Sequence, residues 1–142
     1  MNREDIEKII PHREHMLLVD ETALTSGVAG QTDSAATGRY TVRGNEFFLR
    51  GHFPGNPVVP GAILCEMLVQ SSCVLLAPES EGRATYLAGM NKVKFKDKVV
   101  PGDTVVLKTT LTARKGPFYF IKGSGHVRDK LCLSGEFSVA VL

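Results

Sequence analysis

The chain has 142 residues, 43% of them apolar and 23% charged, and carries a formal net charge of +2. That length favours one domain and can bury about two-thirds of the unfolded surface, so folding needs neither disulfide nor metal. A net charge of +2 gives no argument for nucleic acid, and the three cysteines, Cys65, Cys73 and Cys132, form no CxxC and read as reduced apolar side chains suited to the cytoplasm.

The opening MNREDIEKIIPHREH carries acids where a signal peptide has its basic region, and it lacks the apolar core, so it does not read as one. Asn2 can cap a helix over residues 3–10, which Pro11 ends. Residues 16–19 are a short apolar run, read as a strand start. Gly27 and Gly30 suggest a turn, and residues 31–42 a second, polar strand. Residues 44–60 are too rich in Gly and Pro for regular structure. Residues 61–77 read as a helix begun near Pro60 and stopped by Pro78. Glu66, Gln70, Ser71 and Ser72 keep this stretch short of the roughly 18 uninterrupted apolar residues of a membrane span. Four strands follow, over residues 84–95, 103–113, 118–127 and 131–141, with a turn at residues 99–103 between the first two. No repeat or linker divides the chain, which reads as a single domain over residues 1–142.

The helix over residues 61–77 is apolar nearly all the way round, and a helix with no polar face is buried on all sides. The late strands are joined by short turns, which favours antiparallel pairing. The economical architecture is α+β: a curved antiparallel sheet wrapped round one long central helix.

Glu66 breaks the pattern. An ionised carboxylate in such a helix must be paired, or else it becomes neutral through a raised pKa. Gln70 lies one turn on, on the same face, and can support the acid by a hydrogen bond. A purely structural acid satisfied by Gln70 or by backbone is one reading; a functional acid is the other, because perturbed acids concentrate at functional sites. The preceding loop favours the second. It carries His52, stiffened by Pro54, Pro57 and Pro60, with Gly55 as the residue free to turn. Gly61 opens the helix with an amide that has no intrahelical acceptor and no side chain to block a ligand oxygen. Base, acid and oxyanion donor are thus available from one stretch.

That stretch, GHFPGNPVVPGAILCEMLVQ, resembles the signature of the 3-hydroxyacyl-[acyl-carrier-protein] dehydratases of bacterial type II fatty acid synthesis, close to GHFPGxPVMPGVLxxEAxAQ. IIPHREHMLLVDE is similar to the family's LPHRYPFLLVDR, and LAGMNKVKFKDKVVPGDTV to its LAGIxxARFRxPVVPGD, so the resemblance spans most of the chain. It implies the hot-dog fold, a catalytic pair at His52 and Glu66, and a Val58 carbonyl that orients the histidine ring. It also implies an acyl carrier protein bearing a phosphopantetheine-linked chain as substrate, and neither metal nor organic cofactor. The implied assembly is a homodimer in which histidine and acid come from opposite subunits, built into a trimer of dimers. Nucleic acid and membrane are not implied partners.

The chemistry suits these groups. Dehydration takes a weakly acidic proton from C2 and protonates a poor leaving group at C3. Histidine is largely neutral near pH 7 and can be the base. A desolvated glutamic acid can hold a proton near neutral pH and give it to the hydroxyl. The Gly61 amide can stabilise charge on the thioester oxygen.

Val59, Met67, Val69 and the Glu14-His15-Met16 run depart from the family pattern and bear on the acyl pocket. Lys92, Lys94, Lys96 and Lys98 alternate, and on a strand would share one face. They are either a solvated edge that resists aggregation or a platform for an acidic carrier, to which Arg114 and Lys115 add. His12 and Arg13 are read as structural, His15 and His126 as ordinary surface or packing residues, and Cys65 as an inert apolar thiol. The competing functions are a hot-dog acyl thioesterase, a coenzyme A-linked enoyl hydratase and a non-catalytic acyl-binding module. His52 argues against the first, and the acid set in an apolar helix argues against the last. A related dehydratase that also isomerises its product carries Asp at the helix position and Ile after HF. Glu66 and Pro54 point to simple dehydration.

Overall fold

The computed structural model describes residues 1–50, 55, 57–76 and 79–142. The elements in chain order are α1 (Arg3–Glu7), β1 (Glu21–Ser26), β2 (Ala35–Thr41), a 3₁₀ turn (Phe47–Leu49), α2 (Gly61–Ser71), α3 (Cys73–Leu76), β3 (Thr85–Phe95), β4 (Thr104–Lys115), β5 (Phe118–Val127) and β6 (Lys130–Val141). All strands join one antiparallel sheet in the order β1-β2-β4-β5-β6-β3.

Local chemistry sets the element ends. Asn2 and Asp5 form a reciprocal capping box at the start of α1. Arg128 and Asp129, both with positive φ, make the tight link between β5 and β6 that a right-twisted hairpin favours. Alternation then does the rest: in β4, β5 and β6 successive side chains point into and away from the core.

The sheet curves round α2. Leu64, Met67 and Leu68 pack into one cluster with Leu107, Leu133 and Phe137 from the strands, and Leu75 continues the contact with Leu111, Ile121 and Val139. Close approach needs glycine in the sheet. A side chain at Gly38 would begin 2.6 Å from Ser71 Cβ, and one at Gly123 would begin 2.9 Å from Leu68 Cδ2.

Several boundaries differ from the sequence reading. The apolar run at residues 16–19 is not a strand. Leu17 and Val19 instead pack with Ile6, Ile9, Ile10 and Cys73, and β1 starts at Glu21. The second strand loses its first residues to the turn before it and spans Ala35–Thr41. The central helix breaks at Ser72, whose Oγ donates to the Val69 carbonyl at 2.6 Å while Ser71 Oγ donates to Leu68 O at 2.8 Å. Such back-bonding competes with the helical ladder. Position 77 and the proline after it lie outside the described residues. Nor is α2 buried on all sides: Ala62 is exposed, and Ile63, Glu66 and Val69 are half-buried on the same stripe, because the sheet covers the opposite face.

Candidate functional site

Glu66 sits in the middle of α2 with its carboxylate on the half-open stripe, 24% exposed. Gln70, one turn on and almost fully buried, donates from Nε2 to Glu66 Oε1 at 2.9 Å. The same Nε2 donates to the Met16 carbonyl at 2.8 Å, and Gln70 Oε1 accepts from the Leu18 amide at 2.8 Å. Both amide hydrogens and the oxygen are used, so the Gln70 head group has one orientation.

The segment that meets Gln70 also delivers a second group. His12 Nε2 lies 3.2 Å from Glu66 Oε1. The sequence reading gave His12 a structural role, and its neighbour in space is invisible in a linear pattern. The available signal was the PHR match, which places a histidine in a segment whose flanking apolar residues must dock.

Of the two expectations for the acid, paired or neutralised by burial, the contacts fit the paired one. The hydrogen bond from His12 pulls Glu66 below the usual carboxylate value; burial opposes it, and Gln70 reinforces it. Next to Glu66, burial and then the charge of that acid push the Cys65 thiol up, which leaves it protonated and unreactive. A cavity of about 60 Å³ opens beside the carboxylate, with apolar walls from Ile10, Val69, Leu76, Leu87 and Val139. A larger cavity, about 490 Å³, lies over β3, β4, β5 and β6 and shares no lining residue with it.

Gly61 is the first residue of α2, where the amide has no intrahelical acceptor. The Phe95 ring lies over it: a Cβ on Gly61 would come within 2.7 Å of Phe95 Cζ. Val58 lies half-buried just before the helix. His52 falls outside the described residues. The four lysines do not share a strand face. Lys92 has φ +55 and the β3–β6 register shifts between Asn91 and Lys94, so alternation breaks there, while Lys96 and Lys98 follow the end of the strand. All four are exposed, and Lys92 lies 4.0 Å from Glu136. Among the described residues no three His, Cys, Asp or Glu side chains gather as metal ligands, and no helix is long and apolar enough to cross a membrane.

Comparison with known proteins gives one direction. A family model described as ApeI-like, ApeI dehydratase, matches residues 29–136. The 3-hydroxyacyl-[acyl-carrier-protein] dehydratase FabZ of Syntrophomonas wolfei is 38% identical over 143 residues, covering 99% of this chain and 96% of the relative. The protein of the same name from Streptococcus pneumoniae is 39% identical over 140 residues, covering 97% and 96%. Among solved structures, the dehydratase heterocomplex ApeI:P from Xenorhabdus doucetiae superposes with a TM-score of 0.77 at 18% identity, over 96% of this chain and 90% of that one. That likeness speaks for the fold, which is the hot-dog fold.

Proposed function

The chain belongs to the 3-hydroxyacyl-[acyl-carrier-protein] dehydratase family, and we propose that Glu66 and His52 carry out its reaction, converting a (3R)-3-hydroxyacyl chain on acyl carrier protein to the trans-2-enoyl chain in fatty acid synthesis. The observation that carries the reading is the carboxylate of Glu66, held by Gln70 at the mouth of an apolar cavity in the family's central helix. In the scheme, His52 takes the C2 proton, the C2–H electron pair forms the double bond, and the C3–O bond breaks. The leaving hydroxyl takes a proton from Glu66 and departs as water. The Gly61 amide and the helix dipole hold the thioester oxygen as it gains charge, and the Val58 carbonyl orients His52. No metal or organic cofactor enters.

The two directions of the reaction place different pH demands on Glu66. Hydration of the enoyl chain needs Glu66 ionised, to take a proton from water. Dehydration needs it protonated, and a more acidic group is less often protonated but donates more readily.

The assembly we propose is a homodimer with His52 of one subunit facing Glu66 of the other, in a trimer of dimers. What supports it is β3. This edge strand of 11 residues leaves Tyr86, Leu87, Met90 and Phe95 exposed, and among the described residues no strand pairs with its outer side, a template for a second copy. Lys92, Lys94, Lys96 and Lys98 are proposed as the carrier contact. Lys94 and Lys96 flank in sequence Phe95, whose ring lies on Gly61 at the start of α2. The buried cysteines suit a reducing cytoplasm.

The test is hydration of crotonyl chains on carrier protein and on coenzyme A, followed by loss of enoyl absorbance. A clear preference for the carrier supports the reading. A preference for coenzyme A favours the hydratase, and thioester cleavage without hydration favours the thioesterase.

A further inference from the structure

His12 is a group that the catalytic scheme leaves without a task. It follows Pro11 in an irregular segment, yet its backbone is pinned from both sides. Arg13 Nη1 donates to Ile10 O at 3.0 Å and to His12 O at 2.8 Å, while the amides of Met16 and Leu17 donate to Arg13 O at 2.7 and 2.9 Å. Ile9, Ile10 and Leu17 bury their side chains against Ile6, Val19 and Cys73. Gln70 ties the far end of the segment to α2 through Met16 O and the Leu18 amide. Only a segment held this firmly can aim a ring nitrogen at a chosen carboxylate oxygen.

We propose that His12 is a positioning residue for Glu66: with Gln70 it clamps Oε1, and so turns Oε2 towards the substrate. His12 Nε2 and Gln70 Nε2 approach the same oxygen, at 3.2 and 2.9 Å, and Oε2 carries no bond from the described residues. One donor alone would leave the carboxylate free to swing about its terminal torsion, which is broad. Two donors from different elements fix the plane. His12 Nδ1 is buried without a partner among the described residues. A hydrogen there would be unsatisfied, which favours the tautomer with its proton on Nε2, the nitrogen nearer Glu66.

Two thiols and a phenol are the remaining ionisable groups beside the pair among the described residues. Cys65 and Cys73 are buried thiols, the latter pushed up to about 12 chiefly by burial, and both stay neutral. Tyr86 of β3 is the other titratable group on the cavity wall among the described residues.

The inference rests on the proposed reaction, and the test separates the two. Gln places an amide nitrogen where His has Nε2, Asn where it has Nδ1, and Leu supplies neither. His12→Leu should lower kcat by about tenfold to a hundredfold with little change in KM, the scale of a misplaced catalytic group. His12→Gln should recover most of the loss and His12→Asn little. Glutamate labelled at Cδ with ¹³C gives an independent readout: the Glu66 midpoint should rise in His12→Leu and stay near native in His12→Gln. An unmoved midpoint overturns the proposal, and so does equal behaviour of the Gln and Asn variants, a comparison that decides even if the Leu variant does not fold. A native chain that does not hydrate enoyl-carrier, or a Glu66→Gln variant at native rate, sinks the proposed reaction instead. The carbon titration still judges His12 in that case.

Discussion

Gln70 Nε2 and Glu66 Oε1 lie 2.9 Å apart, one helical turn along α2, and the same Gln70 head group closes the N-terminal segment onto the helix. Support of the acid and docking of the segment are thus one structural device.

Gln70→Leu should therefore damage stability as well as rate. It would leave the buried Leu18 amide without a partner, at roughly 1–3 kcal/mol, and release the Met16 carbonyl to water. Urea unfolding should show a lower midpoint with an unchanged slope. A midpoint equal to native would mean that the segment does not depend on Gln70.

Glu66 also makes stability depend on pH, with a definite sign. The His12 bond, opposed by burial and aided by Gln70, lowers its folded pKa. A depressed folded pKa contributes stability above the unfolded value near 4.3, and that contribution is lost as pH falls through the folded pKa. Other carboxylates are held below their ordinary values too, Glu46 and Asp97 among them. The informative quantity is the difference between native and Glu66→Gln: their gap in thermal midpoint should narrow on going from pH 6 to pH 3. A constant gap would show that the His12 contact does not form in solution.

Gly61→Ala tests the helix start. The new Cβ would meet the far end of the Phe95 ring at 2.7 Å, and that half-exposed side chain can move aside. Stability should stay within about 1 kcal/mol of native, while kcat/KM should fall by about tenfold if the thioester is held there, since small misplacements are costly. Unchanged kcat/KM would remove Gly61 from the site.

Much of this was legible in the chain, for physical reasons that differ by element. The late strands announced themselves through alternation and short turns. Pro60 and the apolar run marked the start of α2, but not its break, because Ser71 and Ser72 look like helix residues until their hydroxyls are seen bonding back to the ladder. Leu17 and Val19 looked like a strand because docking onto α1 demands the same apolar side chains. The lysines failed at Lys92, where a positive φ and a register shift end an alternation that the sequence appeared to continue. What stayed hidden at Glu66 has the same root: burial and Gln70 are visible in a sequence, but a histidine arriving from a distant segment is not.

The final prediction concerns which subunit owns the site. His52→Ala and Glu66→Gln should each lose about a hundredfold or more of the activity, the scale of a general base or acid. If the pair meets across a dimer, mixing the two inactive chains should restore function. A mixed dimer holds two composite sites: one receives both altered groups and stays dead, the other receives both native groups and works. Random reassortment makes half the dimers mixed, each with one good site, so about a quarter of native activity should return if sites act independently. A pair held within one chain predicts no recovery, since every site would lack one group. Mass spectrometry must show that subunits exchanged. Exchange without recovered activity would place both groups in a single chain, and the exposed apolar edge of β3 would then need another partner.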